Sequence, residues 1–531
     1  MKPGSQASVV LRGAKVISPE RGDLGPRDVV ITAEGKIAAV EPHQSSRHWP
    51  EDHAVVELRG HTLVPGLIDA HLHLLATGVQ LLAIDLAAAR SVGEILEVLT
   101  ASAEDGESEW LIAGHLDDEH PGTRLPTLEE LDGAFPKRPL FLEHRSGHFV
   151  LCNTEAARRL GLGSAVGANA VVEGPDLPLA RERLMKGQGE AFVERAFRAG
   201  ALSAARRGTT TIHAMEGGDL FGDDALAVLR RIRESLPTDV LLYWCGTDVD
   251  RALQEGFEHV GGDAFVDGTL GSRTAALRFP YSDDGSTRGT LLLSQDEVTK
   301  FFTQAAAARV QAGLHAIGNR AIEQAIRGIE RAAPQAGPDA RWRLEHCGDV
   351  SKDQLRRAAE LGIGISTQPA FSYLRGGPDE VYQQRVGSHR ARRLYPIRWM
   401  LDAGAHVAGG TDSPVTPPDL LLGLESCVNA RYSAQRTNLR EALQLFTSGA
   451  AWCGGEETIK GDIRPGMRAD LVALTGDLSA CRPDRIKNME IAAVVLRGVP
   501  VCGSLVEGDR SWRTEHHSGL AASSTGATDG R

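Results

Sequence analysis

Short apolar segments alternate with longer amphipathic stretches through the middle of the chain. Helical patterns such as AFVERAFRAGALSAARRG and NRAIEQAIRGIERAA separate most of eight segments that have the composition of strands. These segments are GLIDAHLHL (66–74), TTTIHAM (209–215), VLLYWCG (240–246), DAFVDGTL (263–270), AGLHAIG (312–318), RLEHCG (343–348), GIGISTQP (362–369) and HVAGGTD (406–412). Alternating strands and helices predict a parallel sheet. Eight repeats predict an α/β fold in which that sheet closes into a (β/α)8 TIM-like barrel.

The two ends of the chain have a different pattern, in which short β-like runs are separated by Gly and Pro. Such runs include DVVITAEGKIAAVEP near the start and IAAVVLRGVPVCGSLVEG near the end. We therefore predict a small β-sandwich domain built from both chain termini, residues 1–65 and 455–508, beside a barrel at 66–454. A large insertion, 75–190, follows the first barrel strand, and the small polar residues of 509–531 predict a disordered tail.

Composition narrows the functional classes. The 531 residues are 42% hydrophobic and 24% charged, which is typical of a soluble globular enzyme. A net charge of −12 argues against a nucleic-acid partner, and no apolar run is long enough to predict a membrane span. The N-terminus lacks the apolar core of a secretion signal, and the seven cysteines lack CxxC or disulfide-framework spacing. We expect a cytoplasmic protein with a small-molecule substrate, and a homodimer is compatible with this composition.

Two histidines one residue apart end the first apolar segment, VPGLIDAHLHL. Side chains two residues apart in a strand point to the same side, so Asp69, His71 and His73 share one face. Two imidazoles at a strand end suit a borderline metal ion such as Zn²⁺. A pair of hydrogen-bonded histidines near a core is the alternative interpretation, and the rest of the chain has to decide.

Further side chains that can bind metal follow other predicted strands. They are His315 in GLHAIGN, His346 in RLEHCG and Asp412 in HVAGGTD. The carboxyl ends of all strands of a (β/α)8 barrel open on one face, so these residues are expected to meet the HxH motif there. Imidazole and carboxylate suit Zn²⁺ and can also hold Fe²⁺, Mn²⁺ or Co²⁺. We predict a site for one or two divalent metal ions, in which Asp412 takes a proton from an activated water and passes it to a leaving group.

This arrangement resembles the metal-dependent amidohydrolase superfamily. Finer motifs are similar to its amidohydrolase family 3 branch, which includes N-substituted formamide deformylase-like proteins. Those motifs are VPGLIDAHLHL, RSGHFVLCNTEAARRLGL, FVDGTLGSRTAAL, PYSDDGSTRGTLLL, GLHAIGNRAIEQAI, RLEHCGDV and GGTDSPVTPPDLLLGL. The resemblance covers roughly residues 8–505 in the same order. It implies four histidine ligands and an aspartate that is both ligand and base, namely His71, His73, His315, His346 and Asp412.

One position departs from the pattern of that family. The family often has a Lys four residues before the Asp of its DG motif, and a carboxylated Lys there can bridge two metal ions. Here that position is Asp263, in GGDAFVDG, which is shorter and cannot be carboxylated. Three interpretations stay open: Asp263 is a direct ligand, Glu216 after TTIHAM fills the gap, or the site holds a single metal. For each carboxylate, a surface or helix-capping role is the alternative.

Three further side chains are candidates for substrate binding. His148 lies in the insertion, which can fold over the barrel mouth as a lid, although it can equally pack in the insertion's own core. Arg273, in GTLGSRTAAL, can hold a carboxylate with two hydrogen bonds or can pair with Asp267. Gln368, at the end of the seventh segment, can orient substrate or satisfy backbone groups.

These residues predict a metal-dependent hydrolase that cleaves a non-peptide C–N bond of a small molecule, in an amide, N-acyl or formamide linkage. A metal-dependent deaminase or a cyclic-amide ring opener uses the same activated water, so the residues do not separate these reactions. A non-catalytic ligand-binding or regulatory protein is a third alternative. The unusual residue Asp263 favours that alternative, and the complete set of histidines with Asp412 opposes it.

Overall fold

A computed structural model shows how the chain folds. It describes residues 8–50, 53–105, 109–117, 124–144, 147, 149–163, 166–174, 176–218, 222–337 and 340–505. The predicted disordered tail at 509–531 and the candidate residue His148 lie outside the described residues. The described residues form three β-sheets and the helices that cover them.

The strands are numbered along the chain. Before the barrel come β1 (Ser8–Ser18), β2 (Gly22–Ile31), β3 (Ile37–Pro42), β4 (His53–Glu57) and β5 (His61–Pro65). The first barrel strand and the strands of the insertion are β6 (Leu67–Leu72), β7 (Ile84–Asp85), β8 (Leu111–Leu116), β9 (Leu140–His144), β10 (Phe149–Cys152) and β11 (Val171–Glu173). The other barrel strands are β12 (Thr209–Glu216), β13 (Asp239–Trp244), β14 (His259–Val260), β15 (Gln311–Ala316), β16 (Trp342–His346), β17 (Ile363–Thr367) and β18 (His406–Gly409). The last described strands are β19 (Leu471–Thr475), β20 (Ile491–Leu496) and β21 (Val499–Cys502).

The α-helices are numbered in the same way. Up to the second barrel strand they are α1 (Leu74–Leu82), α2 (Val92–Asp105), α3 (Leu128–Ala134), α4 (Thr154–Arg159), α5 (Asp176–Gln188) and α6 (Glu190–Ala205). The barrel continues with α7 (Asp224–Ile232), α8 (Val249–Gln254), α9 (Gln295–Ala308), α10 (Asn319–Ala332), α11 (Lys352–Glu360), α12 (Pro369–Arg375), α13 (Val381–Ala391), α14 (Ile397–Asp402), α15 (Leu420–Val428), α16 (Leu439–Leu445) and α17 (Ser448–Cys453). None of the described helices combines the length and apolarity that a membrane crossing requires.

Eight parallel strands form the central sheet, in the order β6, β12, β13, β14, β15, β16, β17 and β18. Apart from the insertion between β6 and β12, strands that are adjacent in this sheet also follow one another along the chain, as expected when each connection returns the chain to the same end of the sheet. The last and first strands meet just past β18, where Ser413 pairs in parallel with Leu72. There the Asp412 backbone N–H donates to the carbonyl oxygen of His71 at 2.7 Å. The fold is therefore the predicted α/β class, with a nearly closed eight-stranded parallel barrel.

The fourth barrel strand lies earlier than predicted. The apolar pattern indicated a strand at 263–270, but the structure has a two-residue strand at His259–Val260. Gly261 and Gly262 follow with positive φ angles of 84° and 48°, so the chain turns out of the strand at once. Residues 263–270 cross the rim as a loop. The loop still pairs in parallel with β15 at one isolated bridge, between Phe265 and His315, so the predicted strand is reduced to a single bridge. Val266 is buried against the rim, and this burial contributes to the apolar pattern.

Strands from both ends of the chain form one sheet, in the order β21, β20, β19, β5, β1, β2 and β3, with β4 paired to β1. The antiparallel pairing of β5 with β19 joins the two ends, from Pro65 opposite Leu471 to His61 opposite Thr475. A hydrophobic cluster of buried residues that includes Val16, Leu63 and Leu471 packs against this sheet. The composite origin agrees with the sequence pattern, while the domain boundaries and the two-layer sandwich stay predictions.

Along the chain, the strands of a third sheet come between the first two barrel strands, where the insertion was predicted. Its five strands are ordered β11, β10, β9, β8 and β7. They have their own apolar core, which includes Leu99, Leu111 and Leu140. Helices α1 and α6 pack so closely that a Cβ atom at Gly78 would lie 1.8 Å from the carbonyl oxygen of Ala196. This contact fixes the insertion beside the first barrel strand.

Candidate metal centre

The HxH motif lies where the barrel closes. His71 is at the end of β6 and is fully buried, and the His73 backbone N–H donates to the carbonyl oxygen of Ser413 at 3.0 Å. A Cβ atom at Gly410 would lie 2.6 Å from the backbone nitrogen of His71, so only glycine permits this approach of the two chain segments. The closure therefore holds the motif and Asp412 side by side.

Six side chains meet at the carboxyl end of the barrel strands. They are His71, His73, Asp263, His315, His346 and Asp412. Their donor atoms combine into three groups, each with all atoms within 4.8 Å of one another. The groups are His71 with His73 and Asp263, His71 with His346 and Asp412, and Asp263 with His315 and His346. The structure thus brings together every histidine and both aspartates that the sequence indicated for metal binding.

Asp263 connects the two sides of this cluster. Its Oδ1 atom lies 3.1 Å from Nε2 of His346 and 3.6 Å from Nε2 of His71. Its Oδ2 atom lies 3.5 Å from Nε2 of His73. The two oxygen atoms of one carboxylate therefore face different histidines, which is the arrangement that a bridging ligand requires.

Asp412 occupies the opposite side of the HxH motif. Its Oδ1 atom lies 3.0 Å from Nε2 of His73 and 3.4 Å from Nε2 of His71. Burial alone would raise the pKa of Asp412, but the neighbouring imidazoles of His71 and His73 hold that pKa well below its usual range. Burial likewise opposes ionisation of Asp263, but the charge of His71 and the hydrogen bond with His346 lower its pKa to about 2. Both carboxylates are therefore ionised at neutral pH.

The donor atoms fit a divalent metal ion. The Nε2 atom of His71 is buried and makes no hydrogen bond to any described residue. A buried polar atom without a hydrogen bond is costly, and here it faces two ionised carboxylates, so a cation between them satisfies all three groups. Imidazole nitrogen and carboxylate oxygen are ligands that Zn²⁺, Mn²⁺, Fe²⁺ and Co²⁺ accept.

Each of the four histidines has its Nδ1 atom next to an oxygen atom. The pairs and their distances are His71 with Glu345 Oε2 (2.7 Å), His73 with the carbonyl oxygen of Met215 (3.2 Å), His346 with Gln368 Oε1 (2.7 Å) and His315 with Asp267 Oδ1 (3.5 Å). A proton on Nδ1 that is donated to such an oxygen leaves the lone pair of Nε2 free for a metal ion. The oxygen atoms therefore orient the rings of His71, His73 and His346, whereas Nδ1 of His315 makes no hydrogen bond to a described residue.

Glu345 is itself held by a buried arginine, which sequence reasoning missed. Arg343 donates to both oxygens of Glu345 and to the carbonyl oxygen of Ala70, and its Nη1 lies 2.9 Å from Nδ1 of His213. Its Cζ atom is 4.5 Å from the centre of the Tyr243 ring. The strand alternation of Arg343 and Glu345 in RLEH was the available signal, because residues two apart share one face.

Glu216 has a different role from the one that was considered for it. It belongs to none of the three groups found among the described residues, and its Oε1 atom accepts the backbone N–H of Leu75 at 3.0 Å, in the first turn of α1. Burial raises its pKa to about 7. The structure therefore places Asp263 among the histidines, and Glu216 takes the helix-capping role that was its alternative.

Two candidates for substrate binding also have other contacts. Arg273 forms two hydrogen bonds with Asp283, at 2.9 and 3.1 Å, and does not pair with Asp267, because three backbone N–H groups already occupy that carboxylate. Gln368 is fully buried, and its Oε1 atom accepts a hydrogen bond from His346. This contact orients a metal ligand, while the Nε2 atom of Gln368 is buried without a hydrogen bond to a described residue.

Comparison with known proteins identifies the kind of molecule that carries this cluster. The sequence profile described as the amidohydrolase family matches residues 54–502. The chain belongs to the amidohydrolase family. YtcJ of Bacillus subtilis, which is named as an amidohydrolase, is 28% identical over 508 residues, covering 89% of this chain and 94% of YtcJ. The N-substituted formamide deformylase of Arthrobacter pascens is 25% identical over 517 residues, covering 88% of this chain and 94% of the deformylase.

A solved structure agrees with these relatives. An uncharacterised metal-dependent hydrolase from Pyrococcus furiosus superposes on this amidohydrolase with a TM-score of 0.75 at 25% identity. The alignment covers 89% of this chain and 100% of the other. The protein is therefore an enzyme, a metal-dependent amidohydrolase, which sets aside the alternative of a non-catalytic binding protein.

Proposed function

We propose that this amidohydrolase hydrolyses a non-peptide C–N bond of a small molecule, in an amide, N-acyl or formamide linkage. The observation that carries the proposal is the buried cluster of four histidines and two ionised aspartates at one end of the barrel. The alignment with N-substituted formamide deformylase over most of both chains supports the N-acyl class of substrate.

The six side chains of the cluster would hold one or two divalent metal ions, with Zn²⁺ as the first expectation and Mn²⁺, Fe²⁺ or Co²⁺ as alternatives. When bound, such an ion lowers the pKa of a coordinated water and polarises the substrate carbonyl. Asp263 belongs to the group with His71 and His73 and also to the group with His315 and His346. This shared membership supports Asp263 as the bridging carboxylate, in the place where the family often has a Lys.

Asp412 has the position and charge of the proton carrier. It is an ionised carboxylate beside both histidines of the HxH motif, with Oδ1 3.0 Å from His73 Nε2. Such a group accepts a proton from the attacking water and delivers it to the departing nitrogen. Because Asp412 is only 6% exposed, bulk water has little access to the proton during the transfer.

A product assay with purified enzyme tests the proposal. Substrates are N-formyl and N-acetyl amines, cyclic amides and amino-substituted aromatic rings. Release of a primary amine together with a carboxylic acid supports the proposal, and loss of activity with a chelator followed by recovery with Zn²⁺ or Mn²⁺ is expected. Release of ammonia from ring amines, or ring opening without release of an amine, instead supports the deaminase or cyclic-amide alternative.

Two variants test the assigned roles. Asp412→Asn is expected to lower kcat by roughly 10²–10⁴-fold, the usual contribution of a general base. Asp263→Asn is expected to lower the metal content measured by elemental analysis, whereas Glu216→Gln retains it. Full activity of the Asp412→Asn enzyme contradicts the proton-transfer role, and a metal loss confined to Glu216→Gln contradicts the bridging role of Asp263.

A further inference from the structure

An arginine on the barrel rim is tied to two members of the metal cluster. Arg375 ends helix α12, and its Nη2 atom donates to the carbonyl oxygen of Val415 at 3.0 Å. The backbone N–H of Val415 in turn donates to the carbonyl oxygen of Asp412 at 2.8 Å. On its other side, the Cζ atom of Arg375 lies 5.4 Å from the centre of the Phe371 ring, and that ring stacks on His346 with 6.5 Å between centres. Arg375 therefore lies beside the cluster.

Arg375 differs from nearby arginines in its charge balance. Arg385 pairs with Asp283 at 2.6 Å, and Arg431 pairs with Glu380 at 2.6 Å. Across the described part of the chain, no carboxylate lies within ion-pair distance of Arg375, whose polar contacts include the carbonyl of Val415 and the Tyr382 hydroxyl. Its side chain is half-buried. A partly desolvated guanidinium without a counter-charge attracts an anion, and its planar set of N–H donors matches a carboxylate.

The surroundings of Arg375 are aromatic. Tyr395 contacts Phe371 edge-on, with 5.4 Å between ring centres, and Tyr382 stacks on Tyr395 at 6.0 Å. All three rings are buried. Burial raises the pKa of Tyr382, so its phenol stays protonated at neutral pH, where it contacts Tyr395 and Arg375. An anion at Arg375 would thus lie against apolar walls, where charge-assisted hydrogen bonds are stronger than in water.

We propose that Arg375 binds a carboxylate group of the substrate. The inference rests on the proposed function and narrows it, because the substrate then becomes an N-acylated amino acid or a similar small anionic amide. Its C–N bond lies at the metal cluster and its carboxylate lies at Arg375. The sequence had suggested this role for Arg273, whose guanidinium is already occupied by Asp283.

A matched pair of substrates isolates the carboxylate. N-Formylleucine and N-(3-methylbutyl)formamide share the formyl group and the branched chain and differ only in the carboxylate. The wild-type enzyme is expected to have the higher kcat/KM for N-formylleucine. Arg375→Gln is expected to raise KM for N-formylleucine by roughly 10- to 100-fold, the range for hydrogen bonds to a charged group, and to leave the uncharged formamide unaffected. Arg375→Lys, which keeps the charge without the planar fork, is expected to lie between the two.

Arg431→Gln is the control. Arg431 stacks on Tyr373 of α12, the helix that carries Arg375, with Cζ 5.9 Å from the ring centre. Unlike the charge of Arg375, that of Arg431 is balanced by Glu380. The Arg431→Gln variant is expected to have the wild-type KM for both substrates. An equal effect of Arg375→Gln on both substrates, or no preference of the wild type for the carboxylate, overturns the proposal.

Calorimetric binding of N-formylleucine separates this proposal from the proposed function. If neither formamide is hydrolysed, the formamide assignment fails, and the comparison of affinities still decides the role of Arg375. Weaker binding to Arg375→Gln than to the wild type and Arg431→Gln supports the carboxylate site. Equal affinities of the three proteins, or absence of binding to all of them, contradict it.

Discussion

Glu345 connects the barrel interior to the metal cluster through a single hydrogen bond. Its Oε2 atom accepts from Nδ1 of His71 at 2.7 Å, and Arg343 donates to its two oxygens. All three side chains are fully buried. The carboxylate therefore holds the His71 ring in one orientation and one tautomer, with Nε2 toward the cluster.

Replacing Glu345 by Gln is expected to weaken metal binding by roughly 10- to 100-fold, as for other groups that orient a ligand histidine. The amide is a weaker acceptor for His71, and it leaves Arg343 without a counter-charge. Competition with a chelator of known affinity measures the effect directly, without a need for substrate.

Glu425→Gln serves as the control for that experiment. Glu425 is also fully buried, accepts a hydrogen bond from the Tyr373 hydroxyl at 3.0 Å and pairs with Lys487 at 3.1 Å, on helix α15. It is expected to lower stability without changing metal affinity. If Glu345→Gln behaves in the same way, the orienting role of Glu345 is wrong.

Individual residues of the cluster were visible in the sequence to different degrees. His71, His73 and Asp412 could be predicted as site residues because each lies at the end of a recognisable apolar segment, and the strand ends of a parallel barrel share one face. Glu345 and Arg375 could not, because their roles depend on which side chains meet them from distant parts of the chain. The partner of Glu345, for example, lies 274 positions away.

Helix α1 begins immediately after the HxH motif, and the end of strand β12 supplies its cap. Glu216 accepts the backbone N–H of Leu75 at 3.0 Å, and burial raises the pKa of this carboxyl to about 7 from a usual value of 4.5. The protonation state of Glu216 therefore affects the contact that holds the start of α1.

This coupling predicts a pH dependence of stability. Between pH 4.5 and about pH 7 the folded protein keeps the proton on Glu216 and the unfolded chain releases it, so the contribution of Glu216 to stability falls as the pH rises. In Glu216→Gln the side chain at this position does not ionise, so this pH-dependent loss of stability disappears. Relative to the wild type, the variant is expected to gain roughly 2–3 kcal/mol in free energy of unfolding from pH 5 to pH 8. Denaturant unfolding of metal-free protein at several pH values measures it, and a pH-independent difference contradicts the assignment.

Secondary-structure elements were predictable where their burial is regular. Strand β12 is buried along its whole length, and its run of Thr and Ile residues identified it. Strand β14 has only two residues, and the loop after it pairs with β15 at one isolated bridge, between Phe265 and His315. The pair Gly261–Gly262 was the available signal, since consecutive glycines mark a turn.

At the scale of the whole molecule, the carboxylate of Asp239 in the barrel forms ion pairs with the chain segment that follows the barrel. Asp239, at the start of β13, accepts hydrogen bonds from Lys460 at 3.1 Å, from Arg497 at 2.5 Å and from Arg468. Lys460 is only 3% exposed. Three cations thus converge on this carboxylate. Each also has a second carboxylate nearby, and these second pairs are Lys460 with Glu456, Arg468 with Asp470 and Arg497 with Glu234.

Asp239→Asn is expected to destabilise the protein by roughly 1.5–3 kcal/mol, because it weakens the charged hydrogen bonds of three cations at a largely buried position. Asp477→Asn is a matched control, since Asp477 also links the two ends of the chain, through Lys15 at 2.9 Å, but at an exposed position. Its expected cost is below about 1 kcal/mol. Equal losses in chemical denaturation of the two variants contradict the fastening role of Asp239.

The overall architecture followed from periodicity alone to a large extent. The alternation of strands and helices indicated the parallel barrel, and the similar texture of both ends indicated a shared sheet. The contacts that fasten this sheet to the barrel, such as those of Asp239, were not predictable. Exposed and buried ion pairs have the same appearance in a sequence.

The metal cluster straddles the junction of the first and last barrel strands. The HxH motif lies on one side of that junction and Asp412 on the other. The backbone N–H of Asp412 joins them by donating to the carbonyl oxygen of His71. The residues on both sides of this junction would hold the metal ion, which would then stabilise the closure of the barrel. During synthesis, a nascent chain that has not yet emerged beyond Asp412 has most of the ligands but no completed ring to hold them. Loading of the metal is therefore expected to require a chain that extends at least to Asp412 and has closed the barrel.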